Sequence, residues 1–377
     1  MKVENPFLVK GYVNPTYFCD REDETEKLVQ AAINGRDVTL YSLRRIGKSG
    51  LLHNIGYHLK TKHNYAFIYC DIYNTESIEQ LVAELTSSVL VQLMPEKRWL
   101  QKIRTFFKHI SPIISFDEYT GAPNIQMVFS KPGDAFKSLE ELFNIVNTFE
   151  KPIYWAWDEF QQINKYDQHE QIIKELRGLV QKSNNIRFAF SGSHTQMLIS
   201  MFNAANMPFY KSTQMMELKE ITADKYRQFI EKRFKKGKRS INKVAINMIL
   251  DYTLRHTWFT QMLCNRLYQL DRAIGEEEVK WAMKDILDEQ ELMFLRFRQL
   301  LSKKQWDLLK AIAKEERVEQ ATSGAFISEY ALGGSATVLR SLTKLQQDEF
   351  VVIQYENDKP YYRLNDVFLM RWMQYKY

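Results

Sequence analysis

"LYSLRRIGKSG" (residues 40–50) decides how the rest of the chain is read. Phosphate-binding loops follow the pattern G-x-x-x-x-G-K-[ST]. Gly47, Lys48 and Ser49 occupy its last three fixed positions, and Ser42 stands where the first glycine is usual. Such a loop binds phosphate because successive backbone N–H groups turn inward and a helix N-terminus adds its dipole. In that role Arg44, Arg45, Ile46, Gly47, Lys48, Ser49 and Gly50 form the cradle. Lys48 reaches the β- and γ-phosphates, and the Ser49 hydroxyl takes a place on Mg²⁺. Ser42 is harmless if it ends a strand in extended geometry and costly if the loop needs positive φ there. The bland alternative is a chance Gly-Lys-Ser in a basic turn, with Arg44 and Arg45 facing solvent.

The flanks support the loop reading. "RDVTLYSL" (36–43) is a short apolar run suited to a buried strand, and "KSGLLHNIGYHLK" (48–60) has the pattern of a helix that begins inside the loop. Further strands are expected at 65–72, 152–160, 186–193 and 215–221. Helices are expected at 22–34, 77–94, 134–149 and 169–182. Alternating strands and helices predict an α/β fold with a mostly parallel sheet covered on both faces. Residues 1–20 read as irregular, and 112–118 with 125–130 as a hairpin inserted between helices. From residue 222 the pattern changes to consecutive helices at 222–237, 241–254, 257–271 and 276–300. It changes again to helices at 305–315, 324–332 and 335–350 followed by two short strands within 351–364, the outline of a winged helix. The division expected is 1–221, a P-loop core; 222–300, a helical lid; and 301–377, a winged-helix domain.

"IYWAWDEF" (153–160) supplies the partner that a phosphate loop needs. A buried strand delivering Asp158 and then Glu159 is a Walker B arrangement. Asp158 holds Mg²⁺ through water, and Glu159 orients and polarises the attacking water. Two acids that merely end a strand are the alternative. A rival pair, Asp117 and Glu118, follows "IISF" but runs into a turn rather than a helix, so an exposed hairpin rim is the favoured reading there. "FAFSGS" (188–193) ends in Ser191 and Ser193; Ser193 either senses the γ-phosphate and fixes the lytic water, or it or His194 caps the next helix. His256 either approaches the nucleotide or serves the surface.

Composition narrows the class. The 377 residues are 45% hydrophobic, enough for two or three domains with a sizeable core. A net charge of +6 permits nucleic-acid contact without arguing for it, and the basic run "KRFKKGKR" (232–239) reads first as a solvated face. Cys19, Cys70 and Cys264 have no metal-ligand spacing, and there is neither a signal-peptide core nor an 18-residue apolar stretch. A reduced, cytoplasmic protein with no membrane span is the expectation.

"YFCDREDETEKL", "TLYSLRRIGKSGLL" and "WAWDEFQQI" together resemble the archaeal-type ATPase family, P-loop proteins of the STAND/AAA+-related group. Arg21, Glu22 and Glu24 match its first segment, with Asp20 in place of a glycine. Arg44 and Arg45 match its paired arginines, Asp158 to Gln161 its "D-E-[FA]-Q", and Gly192 with Ser193 its sensor strand. The resemblance covers almost the whole chain. It implies an AAA+-like ATP-binding core, then a helical region and a winged helix that touches DNA or another protein. It places Phe18 and Arg21 on the nucleobase side. It also marks a departure: where relatives carry "P-L-Y-G-R", this chain has "PFYKST", so Lys211 takes the glycine place and Ser212 that of an arginine suited to the γ-phosphate. Lysine there acts only as a point charge.

The reading is an ATP-binding, Mg²⁺-dependent ATPase in which Lys48, Glu159 and Ser193 serve catalysis and Ser49 and Asp158 the metal. Its nucleotide state is passed to a protein partner or a second copy. Three alternatives stand beside it: a regulatory switch with negligible turnover, a DNA-binding winged-helix protein with ancillary ATP binding, and, more weakly, a kinase acting on a hydroxyl substrate. No "N-K-x-D" string argues for GTP.

Overall fold

A computed structural model of the chain describes residues 4–93, 111–116, 123–128, 134–357 and 359–377. The chain divides into two compact units. One is Lys10–Glu220; the other joins the N-terminal residues up to Val9 to Ile221–Tyr377.

The first unit is built on strands β1 (Val38–Tyr41), β2 (Ala66–Asp71), β5 (Ile153–Asp158), β6 (Ile186–Gly192) and β7 (Gln214–Glu217). They form one sheet in the order β2-β5-β6-β1-β7, every pair parallel. Side chains alternate across a strand. On β5, Tyr154 and Ala156 therefore join Leu28, Leu51, Leu52 and Ile55 from α1 (Glu22–Ile33) and α2 (Lys48–Lys62). Ile153, Trp155 and Trp157 join the opposite core, with side chains from α3 (Ile78–Leu93), α4 (Asp134–Asn147), α5 (His169–Lys182) and α6 (Thr195–Asn203). Burial on both faces is why "IYWAWD" reads as unbroken apolar sequence. The expected hairpin is present as β3 (Ser111–Phe116) and β4 (Pro123–Val128), an antiparallel pair apart from the main sheet.

Parallel strands need long crossovers, so the sheet collects all its carboxyl ends on one edge. The phosphate loop leaves β1 at that edge. Tyr41 is level with Gly192 of β6, and Asp71 of β2 is level with Asp158 of β5. Residues 42–50, 158–159 and 191–193 thus meet in space.

The second unit starts with α7 (Ala223–Lys236), α8 (Lys243–Tyr252), α9 (Thr257–Tyr268) and the long α10 (Glu276–Leu300). Its winged helix follows: α11 (Lys303–Glu315), α12 (Gly324–Glu329), α13 (Ser335–Gln347), and the wing β8 (Val351–Glu356) and β9 (Lys359–Leu364). A last helix, α14 (Val367–Lys376), was not expected from the sequence. Val367, Phe368, Leu369, Met370, Trp372 and Met373 are all buried, so it shows almost no polar face and no helical period. Its one local signal is Asp366, whose side chain accepts the Leu369 N–H at 3.0 Å as an N-cap. Residues up to Val9 join this unit through Phe7, which packs on Phe229, Phe234 and Tyr268, and through Asn5, whose amide donates to the Asn265 carbonyl. Among the described residues no helix is long and apolar enough to cross a membrane.

Candidate nucleotide-binding site

After Tyr41 the chain turns through two left-handed residues, Arg45 at φ 62° and Gly47 at φ 109°. Gly47 is the N-cap of α2, so the N–H groups of the first turn, from Lys48 on, are not needed by the helix itself. Ile46 is buried in the core below the sheet and pins the loop. Ser42 has no positive φ. Its hydroxyl donates to the Leu43 carbonyl at 2.9 Å, so serine fits where the pattern has glycine. Lys48 is 5% exposed, and its ammonium donates to the carbonyls of Ser42 (3.3 Å) and Leu43 (3.1 Å), which hold it inside the loop.

Asp158 collects donors from three neighbouring elements. Ser49 Oγ at the start of α2 donates to its Oδ2 at 2.5 Å, and the Tyr69 hydroxyl on β2 donates to the same oxygen at 2.8 Å. Ser191 Oγ on β6 donates to Oδ1. Burial, and then the Asp158 charge, push the Tyr69 phenol well up, so it stays a donor. His53 packs on Tyr69 with ring centroids 4.3 Å apart, and burial pushes its imidazole down against the pull of Asp158. Asp71, level with Asp158, has its carboxyl pushed up, chiefly by burial and also by the charges of Asp158 and Glu159, although the Tyr73 N–H opposes the shift.

Glu159 is held in a left-handed conformation, φ 57°. Its Oε2 accepts from Ser193 Oγ at 2.8 Å, from the Ser193 N–H at 3.2 Å and from Gln161 Nε2 at 2.5 Å. Gln161 reaches it across Gly192, where an added Cβ would lie 1.8 Å from Gln161 Oε1. His194, not Ser193, stands at the N-cap of α6 and makes no side-chain cap bond. Ser193 therefore does not stand at the N-cap of this helix, and its hydroxyl contacts Glu159.

Phe18 packs over the loop helix: a Cβ on Gly50 would sit 3.2 Å from its ring. Arg21 is buried at φ 73° and pairs with Glu24 at 2.8 Å, one turn into α1. Sequence reasoning missed Asn54 on α2, which donates to Thr25 Oγ1 at 3.0 Å and accepts from the Tyr12 hydroxyl at 3.0 Å. It joins α1 and the N-terminal segment to the loop helix. Tyr69, His53 and Asn54 carry no motif; the only local signal is a polar residue in an apolar face.

Other candidates lie elsewhere. Arg44 and Arg45 are exposed, with the Arg44 guanidinium 5.7 Å from the Tyr73 ring centre. The Lys211 ammonium lies over Tyr210 at 5.3 Å, and the Ser212 hydroxyl donates to the Phe209 carbonyl at 2.7 Å. His256 belongs to the other unit, where it is buried against Phe259 rather than on the surface. Two of the six bases in the run 232–239 pack on aromatic rings: Arg233 covers the Phe229 ring and Arg239 the Tyr268 ring, both at 4.8 Å. Asp117 and Glu118 lie outside the described residues.

One hydroxyl and one carboxylate at hydrogen-bond distance form a hard-oxygen donor pair. That suits Mg²⁺, which is held by one or two protein oxygens, nucleotide phosphates and water. The described residues contain no cluster of three or more His, Cys, Asp or Glu fit for a metal.

A parallel sheet with a phosphate loop after its first strand and paired acids ending a nearby strand, followed by helices and a winged helix, defines a P-loop NTPase of AAA+-like build. Residues 18–253 match the ATPase domain predominantly from Archaea, and 292–375 match a probable winged helix domain. The chain belongs to that archaeal ATPase family, a domain that supports nucleotide binding. Among solved structures it is similar to a Walker-type ATPase of Pyrococcus abyssi, at 18% identity and TM-score 0.66, over 98% of this chain and 99% of that one. It is also similar to the ORC2 protein of Aeropyrum pernix in its ADP form (13%, TM-score 0.56, 98% and 97% covered). The ORC1 protein of the same organism, in complex with DNA, matches at 12% and TM-score 0.52, with 100% and 98% covered. These likenesses establish the fold. No curated protein sequence matches the chain.

Proposed function

We propose that this protein binds ATP with Mg²⁺, hydrolyses it, and passes its nucleotide state to a protein partner through the helical region and the winged helix. One observation carries the reading: the two acids at the end of β5 are tied into one site, Asp158 to Ser49 of the phosphate loop and Glu159 to Ser193 at the end of β6. Ser49 and Asp158 would hold Mg²⁺, which supplies charge neutralisation on the β- and γ-phosphates. Lys48 exchanges its bonds to the Ser42 and Leu43 carbonyls for phosphate oxygens. The N–H groups of Gly47 and of the first turn of α2 take the rest of that charge. Glu159 accepts the proton of a water that attacks the γ-phosphorus in line, as the bond to the bridging oxygen breaks and ADP leaves. Ser193 and Gln161 set the direction of that carboxylate. Phe18 lies on the nucleobase side and Arg21 supports the segment beside it.

A second reading, a switch with negligible turnover, is favoured by "PFYKST". No arginine stands there, and Ser212 bonds its own turn. DNA as the partner has less support. On α13 the exposed face carries Leu339, 55% exposed, while Lys344 is paired with Asp348 at 2.7 Å. Arg340 is left as the one base on that helix without an acidic partner among the described residues, few for a helix reading a groove.

The test is Mg²⁺-dependent phosphate release, with and without duplex DNA, beside Glu159→Gln. Removing the base should lower release by about 10²-fold or more while ATP still binds. Equal, negligible release from both proteins despite tight ATP binding would replace hydrolase by switch. Stimulation by DNA would make DNA the partner.

A further inference from the structure

Asp158 is 2% exposed and is surrounded by donors. Its Oδ2 accepts from Ser49 Oγ at 2.5 Å and from the Tyr69 hydroxyl at 2.8 Å. Its Oδ1 accepts from Ser191 Oγ and from the Glu159 N–H, the latter at 3.1 Å. A carboxylate has about four lone-pair positions, so all of them are taken. The donors differ in one respect. Ser49 is the hydroxyl assigned to Mg²⁺, and turning to the metal takes it off Oδ2. Tyr69, Ser191 and the Glu159 N–H stay. Asp158 then keeps its orientation and offers one open position, on Oδ2, toward the start of α2.

Tyr69 is held for this contact from two helices. It lies on the edge strand β2, level with Ala156, so it projects from the same face of the sheet as Asp158. Its ring packs on His53 of α2 with centroids 4.3 Å apart. Its backbone N–H and C=O are both taken by the Gln92 amide of α3, at 2.8 and 2.9 Å. Ring and backbone are thus both fixed. Phe67, two positions earlier on the same strand, also packs on His53 and has no hydroxyl. Phenylalanine therefore serves for packing beside His53, and the hydroxyl of Tyr69 serves Asp158.

We propose, on the Mg-nucleotide reading of this loop, that Tyr69 is a positioning residue that sets the metal preference of the site, Mg²⁺ over Ca²⁺. Mg²⁺ demands near-ideal octahedral geometry and keeps several waters, whereas Ca²⁺ takes more oxygens in a looser arrangement. A carboxylate with its plane fixed and one position open suits the ordered shell of Mg²⁺ better than the larger, more variable shell of Ca²⁺. Without the phenol, nothing holds Oδ2 once Ser49 has turned away, and Oδ2 becomes a free ligand for the larger ion.

The experiment titrates the whole chain with the fluorescent mant derivative of β,γ-imido-ATP in Mg²⁺, in Ca²⁺ and in EDTA, for the parent and for Tyr69→Phe. This nucleotide resists hydrolysis at the β,γ position, so the readout is binding alone. The parent should bind more tightly in Mg²⁺ than in Ca²⁺. Tyr69→Phe, which keeps the ring on His53, should match the parent in EDTA and lose about tenfold of the preference for Mg²⁺ over Ca²⁺, the scale of outer-shell effects on metal affinity. A merely structural hydroxyl would lower the urea midpoint and leave the ratio of the two affinities where it was. An unchanged ratio in Tyr69→Phe, beside a parent that discriminates, overturns the role of Tyr69 and leaves the Mg-nucleotide reading standing. So does a parent that binds equally well in the two metals and worse in EDTA. A parent indifferent to both metals and to EDTA overturns the Mg-nucleotide reading, and the role of Tyr69 with it.

Discussion

Asp20 and Lys211 stand where the family pattern has glycine, and both keep left-handed backbone, at φ 54° and 49°. Aspartate tolerates that region; lysine does so at a cost of roughly 1–2 kcal/mol. Ser42, the third replaced glycine, has no such conformation. Lys211→Gly should therefore raise stability by up to about 1 kcal/mol, while Ser42→Gly should lower it by a similar amount, because glycine adds unfolded-state entropy with no strain to relieve. Urea midpoints of the two variants should move in opposite directions. Ser193→Ala removes one of the donors that hold Glu159. Phosphate release should fall about tenfold with ATP affinity unchanged, a loss of roughly 1.4 kcal/mol confined to the transition state. At this scale much was legible. Lys48, Ser49, Asp158 and Glu159 stand out in two short strings, because the loop and strand patterns are local, and the structure brings Ser49 onto Asp158. Tyr69 was not, because its bond to Asp158 spans 89 positions of chain and no spacing encodes it.

Two helix glycines separate propensity from packing at the scale of the element. Gly56 lies in α2, and a Cβ there would be 2.4 Å from the Phe67 ring of β2. Gly178 lies in α5, and nothing stands within 4 Å of its added Cβ. Alanine favours a helix over glycine by about 1 kcal/mol. Gly178→Ala should gain up to that amount. Gly56→Ala should instead lose about 1–3 kcal/mol, because the ring is wedged between helix and sheet and cannot retreat freely. Thermal or urea unfolding of the pair checks this, and equal shifts would contradict it. Element types were readable from the sequence where one face is polar, as in α5, and in the fully buried strand β5. They failed at α14, whose period is hidden because nearly every residue from Val367 to Met373 is buried.

Two units within one chain predict two unfolding events at the scale of the molecule. Calorimetry should resolve them. Mg-ATP at about a hundredfold its Kd should stabilise only the transition of Lys10–Glu220, by roughly 2.7 kcal/mol, and Lys48→Ala should abolish that shift. One transition that moves as a whole would count against it. By itself, the sequence determined the alternation of strand and helix, the nucleotide loop and the change to helices near residue 222. Helical period, turn composition and loop motifs are properties of neighbouring residues. Only the tertiary structure decided that β6 lies between β1 and β5, which puts Ser191 on Asp158 and Ser193 on Glu159. Likewise it alone placed Asn5 and Phe7 with residues more than 200 positions away. Those choices come from which apolar faces can be buried together, and no local stretch of chain contains that information.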